Sequence, residues 1–593
     1  MKTQLSTFVL STLLFLTFNL QAQQGLRNNG TKIIIPTGAV LHIDGSNGDF
    51  TNSTVSGKDG SLALSGKLKI DGDWTNNATG GDLLDGTTGK VVFSGLANQS
   101  IGGTRQTHWQ AVDILDGATL EFGTDQQITI DGDIDMDGSI FLKADANSVA
   151  SFINNGEIAG AGEATVQQYL TGSNNQGIPD GRFWYLASPI SNAKSSVFNA
   201  ASGNRLWYFT EESGTYTEIT DNTTDLTVAL GYVARMTDNT TLNFVGDLNY
   251  GNINANTSWN ASSYYPGFNL VGNPYPSGID WTTMGRTNLR PTFWYRTHSG
   301  NAMVYDSFNA SSGIGTNNNG SGAISKFVPA MQTFWIRCEN NNATGQVSFQ
   351  NSDRHHKLDN QLYKSSENPD HILRLRAERG VFSDETIFCF FADAIIGFDE
   401  YDSGKMYPTD DNLPQIFTTD PAAGDLAMQS LPWNIGNLSV PMGFKTEITD
   451  TFAINAYNIS ELNPDILVYL EDLVDNTYTD LRQNPVYNFS SGISNSFRFV
   501  VHFFSLITDD ETNFSAEKTE TQIYSFRNFV YLKTPAEKYQ VRVFDMLGKL
   551  IVEKQIAGST LNKIEMHTAS GNYVIHLIGE KSISTEKVFI NNP

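Results

Sequence analysis

Leu41-His42-Ile43-Asp44-Gly45 returns as Leu68-Lys69-Ile70-Asp71-Gly72 and again as Ile128-Thr129-Ile130-Asp131-Gly132. Weaker echoes are Val91-Val92-Phe93-Ser94-Gly95 and Val112-Asp113-Ile114-Leu115-Asp116-Gly117. Each copy is apolar-x-apolar followed by a turn pair, at intervals of roughly twenty to thirty residues, within the range of known solenoid periods. Successive side chains of a strand point to opposite faces, so each copy offers one narrow apolar edge that it cannot bury alone. Strands stacked one per turn bury those edges together. The spacing therefore predicts a parallel β-helix-like solenoid over residues 23–165, with a β-sandwich built from Asp-Gly hairpins as the competing arrangement.

Outward from this region the reading stays all-β. Residues 166–352 form an aromatic-rich stretch that opens on the strand-like Arg182-Phe183-Trp184-Tyr185-Leu186. Residues 353–505 carry the alternating His371-Ile372-Leu373-Arg374-Leu375-Arg376 and the doubly apolar Ile387-Phe388-Cys389-Phe390-Phe391, and read as a β-sandwich-like domain. Residues 506–520 are an acidic linker. Residues 521–593 form a separate small module in which Tyr539, Val541 and Val543 alternate with Gln540 and Arg542, an expected Ig-like β-sandwich.

A chain of 593 residues exceeds what one core can hold, so several domains are expected. Charged residues make up 17%, below the roughly 25% of an average soluble domain, which favours an extracellular neutral-polar surface. The net charge of −25 opposes nucleic acid, whose phosphates it would repel. Cys338 and Cys389 are the only cysteines, so no disulfide scaffold is present; they either pair with each other or are small buried hydrophobes. At the N-terminus, Lys2, the apolar run Phe8 to Leu20 and Leu20-Gln21-Ala22 match a cleavable signal peptide over residues 1–22. No later segment is apolar for long enough to span a bilayer, so the mature protein is expected to have no transmembrane span.

The last residues carry four motifs in order: Ile523-Tyr524-Ser525-Phe526, Val541-Arg542-Val543-Phe544-Asp545-Met546-Leu547-Gly548-Lys549, Gly571-Asn572-Tyr573-Val574-Ile575-His576-Leu577 and Glu586-Lys587-Val588-Phe589-Ile590. They resemble the type A C-terminal sorting domain of cargo exported by the type IX secretion system of Bacteroidetes. Tyr524, Phe526, Val543, Asp545, Gly548, Gly571, Tyr573 and Lys587 carry the likeness. It implies export across the outer membrane, then secretion or attachment at the cell surface. The implied partners are the translocon, a sorting peptidase that removes the module, and an anionic lipopolysaccharide anchor. Residues 23–165 resemble the Gly/Asn/Thr-rich β-helical repeats of bacterial surface adhesins. Gly267 to Trp281 and Ile324 to Ile336 look like a segment of large type IX-exported proteins of no assigned activity.

Candidate sites are sparse. Asp133-Ile134-Asp135-Met136-Asp137-Gly138 matches the start of a calcium loop, in which carboxylates converge around a sharp glycine turn. Ala144 stands where the last acidic ligand belongs, and in a strand Asp133, Asp135 and Asp137 would simply share one solvated face. Ca2+ is the one cofactor the sequence suggests. Asp399, Glu400 and Asp402 crowd one loop, as a cation site or a hydrated tip. His355 and His356 are adjacent and face opposite ways in a strand, a poor start for a metal site. Tyr275, Trp281, Trp294 and Trp335 are either a sugar-stacking platform or core aromatics beside turns. No nucleophile elbow, zincin motif, Walker loop or dinucleotide fingerprint occurs. The expectation is an exported, adhesin-like or structural surface protein without catalysis, with a glycan or matrix ligand. The alternative is a carbohydrate-binding or polysaccharide-degrading protein using the solenoid or the aromatic region.

Overall fold

The computed structural model describes residues 25–592 apart from 81–82, 174–181, 199–202, 300–301, 319, 321, 340–343, 357–370, 411, 434–436, 506–520, 559–560 and 581–582. The expected signal peptide and acidic linker lie outside the described residues.

The chain is all-β, and the repeats do stack. Parallel strands build a solenoid of about six turns with three walls. One wall runs from Val40–Ile43 through Lys67–Ile70, Lys90–Phe93, Val112–Ile114 and Ile134–Met136 to Ile158–Ala159. Leu41 lies beside Leu68, Leu68 beside Val91, and Val91 beside Val112, so four of the sequence echoes stack in register. The echo Ile128-Thr129-Ile130 belongs to a different wall, between Thr107–Trp109 and Ser151–Asn154. Alternation alone cannot distinguish walls, because all three present the same apolar-in pattern to one core.

The remaining wall holds two interior ladders. Phe50, Trp74, Ile101, Phe122, Leu142 and Val166 succeed one another, and Phe244 of the antiparallel strand Thr240–Gly246 continues the series. That strand covers the last parallel edge, which would otherwise present unpaired backbone groups. Asn28, Asn52 and Asn76 stack in register and are fully buried. Asn52 Nδ2 donates to Asn76 Oδ1 at 3.1 Å, and Asn76 Nδ2 donates to the Gln106 carbonyl at 3.3 Å. Asn76→Ala strands the Asn52 amide in a dry interior and should cost about 1–3 kcal/mol. Amide exchange should accelerate in Phe50–Val55 and Trp74–Asn77 and stay unchanged beyond residue 372.

Residues 183–355 form a four-stranded sheet, a five-stranded sheet and smaller ones, and meet the solenoid wall of Thr107–Trp109, Gln127–Ile130 and Ser151–Asn154, where the Phe152 amide donates to the Pro276 carbonyl at 2.9 Å. His356 marks that contact: its ring bonds the Thr129 hydroxyl at 2.9 Å and the Ser151 hydroxyl at 2.7 Å. Burial, then the neighbouring His108, His355 and Arg354, push it down to about 3, so it sits there neutral. Tyr275, Trp281, Trp294 and Trp335 are at most 3% exposed, so no sugar can stack on them. Their polar atoms turn inward instead: Trp281 Nε1 donates to the Pro291 carbonyl at 2.6 Å and Trp294 Nε1 to Gly404 at 3.0 Å.

Residues 372–505 form one eleven-stranded sheet that curls over a shared core. Phe388 and Phe390 meet Phe503, from the other half of the sheet, at ring distances of 5.1 and 5.4 Å. On the opposite face of the same strand, Ile387 and Cys389 pack on Ile314 and Met428. Cys338 lies in another cluster with Phe293 and Trp281, and the two cysteines do not form a disulfide. The module from Gln522 to Ile590 has two sheets, of three and four strands, closed over Ile523, Val541, Ile575 and Ile590.

Candidate functional site

The C-terminal module is docked on the body through a buried polar hub. Glu471 and His502 of the curled sheet and Tyr531 of the module are all fully buried. Glu471 Oε2 accepts from His502 Nε2 at 2.9 Å and from the Tyr531 hydroxyl at 3.0 Å. Its other oxygen accepts from the Tyr478 hydroxyl at 2.8 Å and from the ammonium of Lys563. His502 Nδ1 faces the hydroxyls of Ser439 at 2.8 Å and Tyr524 at 2.9 Å. Burial alone would raise the Glu471 carboxyl, but the hydrogen bonds from His502 and Lys563 outweigh it and hold it at about 2. Burial and the nearby Lys563 cation keep His502 neutral, against the pull of Glu471. Phe504 and Leu467 of the body and Phe526, Phe529 and Leu561 of the module surround the hub with apolar surface.

The motif residues therefore divide by environment. Tyr524 and half-buried Phe526 sit in the joint, while Val543 and Tyr573 are buried in the module. Asp545 Oδ1 accepts from the Leu547 and Lys549 amides, both at 2.9 Å, and Gly548 takes φ +83°, which closes the hairpin. Gly548 thus takes the left-handed backbone that glycine adopts without steric cost. Gly571 opens the strand Gly571–Ile578, and Lys587 is exposed on the last strand. Leu547 at the hairpin tip is 94% exposed.

The acidic candidates do not converge. Asp133, Asp135 and Asp137 point outward along one strand, steps of about 6.5 Å apart. Asp133 is engaged with the Glu157 amide at 3.0 Å. The only group of potential ligand atoms brought close together among the described residues is His42, Asp44 and Asp71, within 4.8 Å of one another. Hydrogen bonds from the Ser94 hydroxyl, His42 and the Gly45 amide, against the effect of partial burial, lower Asp71 to about 2. The Asp399–Asp402 loop is no hydrated tip. Asp402 is buried, accepts from the Ser430 amide at 2.6 Å and the Asp399 amide at 2.7 Å, and is raised by burial to about 7.

A cleft of about 340 Å³ opens between Arg182–Tyr185, Tyr295–His298 and Ile324–Gln332. No acid lines it. The Arg182 guanidinium lies over the Trp184 ring at 4.3 Å. Arg296 Nη1 donates to the Tyr185 hydroxyl at 3.1 Å, while its buried Nε has no acceptor. Tyr185 in turn meets the Tyr216 hydroxyl at 3.2 Å, which fixes the guanidinium from behind. Burial, then Arg182 and Arg296, hold His298 below the usual histidine range. Sequence reasoning missed this cleft, although Phe-Trp-Tyr occurs twice with an arginine at its edge, in Arg182-Phe183-Trp184-Tyr185 and Phe293-Trp294-Tyr295-Arg296.

Residues 69–503 match the model of a family described as Domain of unknown function (DUF8693). The chain belongs to that family. The DUF8693 region thus takes in most of the solenoid, the aromatic-rich stretch and nearly all of the curled sheet. Residues 526–591 match the Secretion system C-terminal sorting domain. The protein is accordingly cargo of the type IX secretion system, sent to the cell surface or secreted, and its tail engages that machinery. No protein of curated function matches the chain. Among solved structures, one titled "Biofilm associated protein - BSP domain" is similar at 8% identity over 72% of this chain and 96% of that one, with a TM-score of 0.15. Among the described residues no helix is long and apolar enough to cross a membrane.

Proposed function

We propose that the body of this exported protein works outside the cell as an adhesin-like binder of glycan or matrix ligands and performs no catalysis. The units that would act are those expected at residues 23–165, 166–352 and 353–505. The observation that carries the reading is how the buried acids are used. Asp384 is gripped by Lys405 at 2.6 Å, Glu385 by Arg374 at 2.9 Å, and Asp472 by Arg498 at 2.7 Å. Asp306 takes the hydroxyls of Thr297 and Thr316 and the amide of Asn318. Acids so engaged hold sheets together and are poorly placed to hand a proton to a substrate. The long solenoid walls add an extended polar exterior, the kind of surface repeat proteins use for binding.

The export partners complete the reading. A sorting peptidase would cut ahead of the module, and an anionic lipopolysaccharide would take its place as anchor. The test is a glycan and matrix-protein array probed with residues 23–504. Binding to a defined subset without turnover is expected. Uniform silence, or release of cleaved glycan, would refute it.

A further inference from the structure

We infer that the cleft between Arg182, Arg296 and Phe327 is a binding site for a carboxylate-bearing sugar, such as a uronic acid unit of an extracellular polysaccharide. This rests on the reading of the body as a binder and names its ligand class.

Charge is the first reason. The chain has 63 acids against 38 Lys and Arg, so an arginine pair without an acid partner is against the grain of the sequence. Elsewhere arginines find partners of two kinds: Arg205, Arg374, Arg379 and Arg498 each meet a carboxylate, while Arg286, Arg337 and Arg482 donate to backbone carbonyls. Among the described residues neither Arg182 nor Arg296 meets a carboxylate, and His298 adds a third basic side chain beside them. Crowding like charges has a cost that a bound anion would offset.

Geometry is the second. Arg296 Nη1 is fixed on the Tyr185 hydroxyl, itself held by Tyr216, so the guanidinium is set in one orientation at the cleft wall. A guanidinium fork matches the planar two-oxygen edge of a carboxylate. Half-buried Phe183, Trp184 and Phe327 supply ring surface beside the charges, which suits the apolar face of a pyranose. Ser325 and Gln332 add polar groups for its hydroxyls. The volume, about 340 Å³, falls at the small end of ligand pockets, so the cleft would grip one or two sugar units of a longer chain.

The experiment uses the full mature chain and calorimetric titration with oligouronates, the same oligosaccharides as methyl esters, and inorganic phosphate. The acid form should bind, with affinity falling as ionic strength rises. Methyl esterification should weaken it at least tenfold, because the ring is kept and the charge removed. Arg182→Ala should weaken it about tenfold, the size of one lost charge-assisted hydrogen bond. Because Arg296 also braces Tyr185, Arg296→Lys is paired with Arg296→Ala, and both are accepted only if their thermal unfolding matches the parent. Equal binding of ester and acid, or indifference to Arg182→Ala, overturns the proposal. So does phosphate competing at equal concentration, which would mark a site for anions of any kind. Binding of neutral glycans or matrix proteins alone overturns this inference and leaves the binder reading standing. Silence toward every probe of the array would remove both.

Discussion

Glu471→Ala is expected to destabilise the joint between body and module by about 3–5 kcal/mol, the usual result of removing one partner of a buried ion pair. The carboxylate accepts from His502, Lys563, Tyr478 and Tyr531 together. Its loss leaves a partly buried ammonium and two phenols without that acceptor. Glu471→Gln keeps the volume but no longer neutralises Lys563, and should cost less than Ala and more than any exposed acid. Amide exchange reads this directly: Gln522–Phe526, Phe529–Lys533 and Ile466–Asp472 should exchange faster, while the solenoid is unaffected. Acid should mimic the mutation. His502 is depressed by burial, so the undocked form takes up a proton below about 6.5 before the docked form does, and docking weakens as pH falls through that range. Glu471 is depressed too, from 4.5 to about 2, so its contribution is complete above 4.5 and disappears as pH drops toward 2. Both groups act in the same direction. The other groups facing the pair are Lys563, Tyr478, Tyr524 and Tyr531, whose phenols burial keeps protonated throughout. Unchanged exchange at the joint between pH 7 and pH 4 would contradict this account.

What the sequence revealed, and what it hid, follows from the range of the forces involved. Apolar alternation is local, so Leu41, Leu68, Val91 and Val112 announce a stack from the sequence alone. The Asp545–Gly548 turn was equally legible, because one left-handed residue closes it. The joint was not. Tyr524 reads as one more strand aromatic until the chain brings His502 within 2.9 Å of its hydroxyl. Arg374 and Arg376 illustrate the same blindness. Their alternation with Leu373 and Leu375 reads as a solvent face, yet both are buried, with Arg374 donating to the Gly315 carbonyl and Arg376 to that of Asn317. Polar alternation specifies a face and leaves open what that face meets. The cleft was hidden for a related reason: the significance of Arg182 and Arg296 lies in their meeting at one cleft that no described acid lines, which no local window of sequence displays.

Cutting the chain between Asp510 and Ser515 should therefore leave the module bound. Its own core of Ile523, Val530, Val541, Val543, Ile575, Leu577 and Ile590 closes without help from the body, so the severed piece has what it needs to stay folded. The face it presents is complementary in charge and shape to the body: Lys563 and the Tyr531 phenol meet one carboxylate, the Tyr524 hydroxyl meets His502, and Phe526, Phe529 and Leu561 meet Phe504 and Leu467. A covalent connection adds effective concentration to a contact that the joint's own residues make. With a site-specific protease sequence inserted at 511–514, the two fragments should co-elute at pH 7.5 and micromolar concentration. They should separate at pH 4, and at any pH when Glu471→Ala is present. Immediate separation of the unmutated fragments at pH 7.5 would show that the hub orients the module only while the chain is intact. Retention would mean that proteolysis alone cannot discharge the sorting tail from this protein, and that its release needs acid or a competitor for the surface around Glu471.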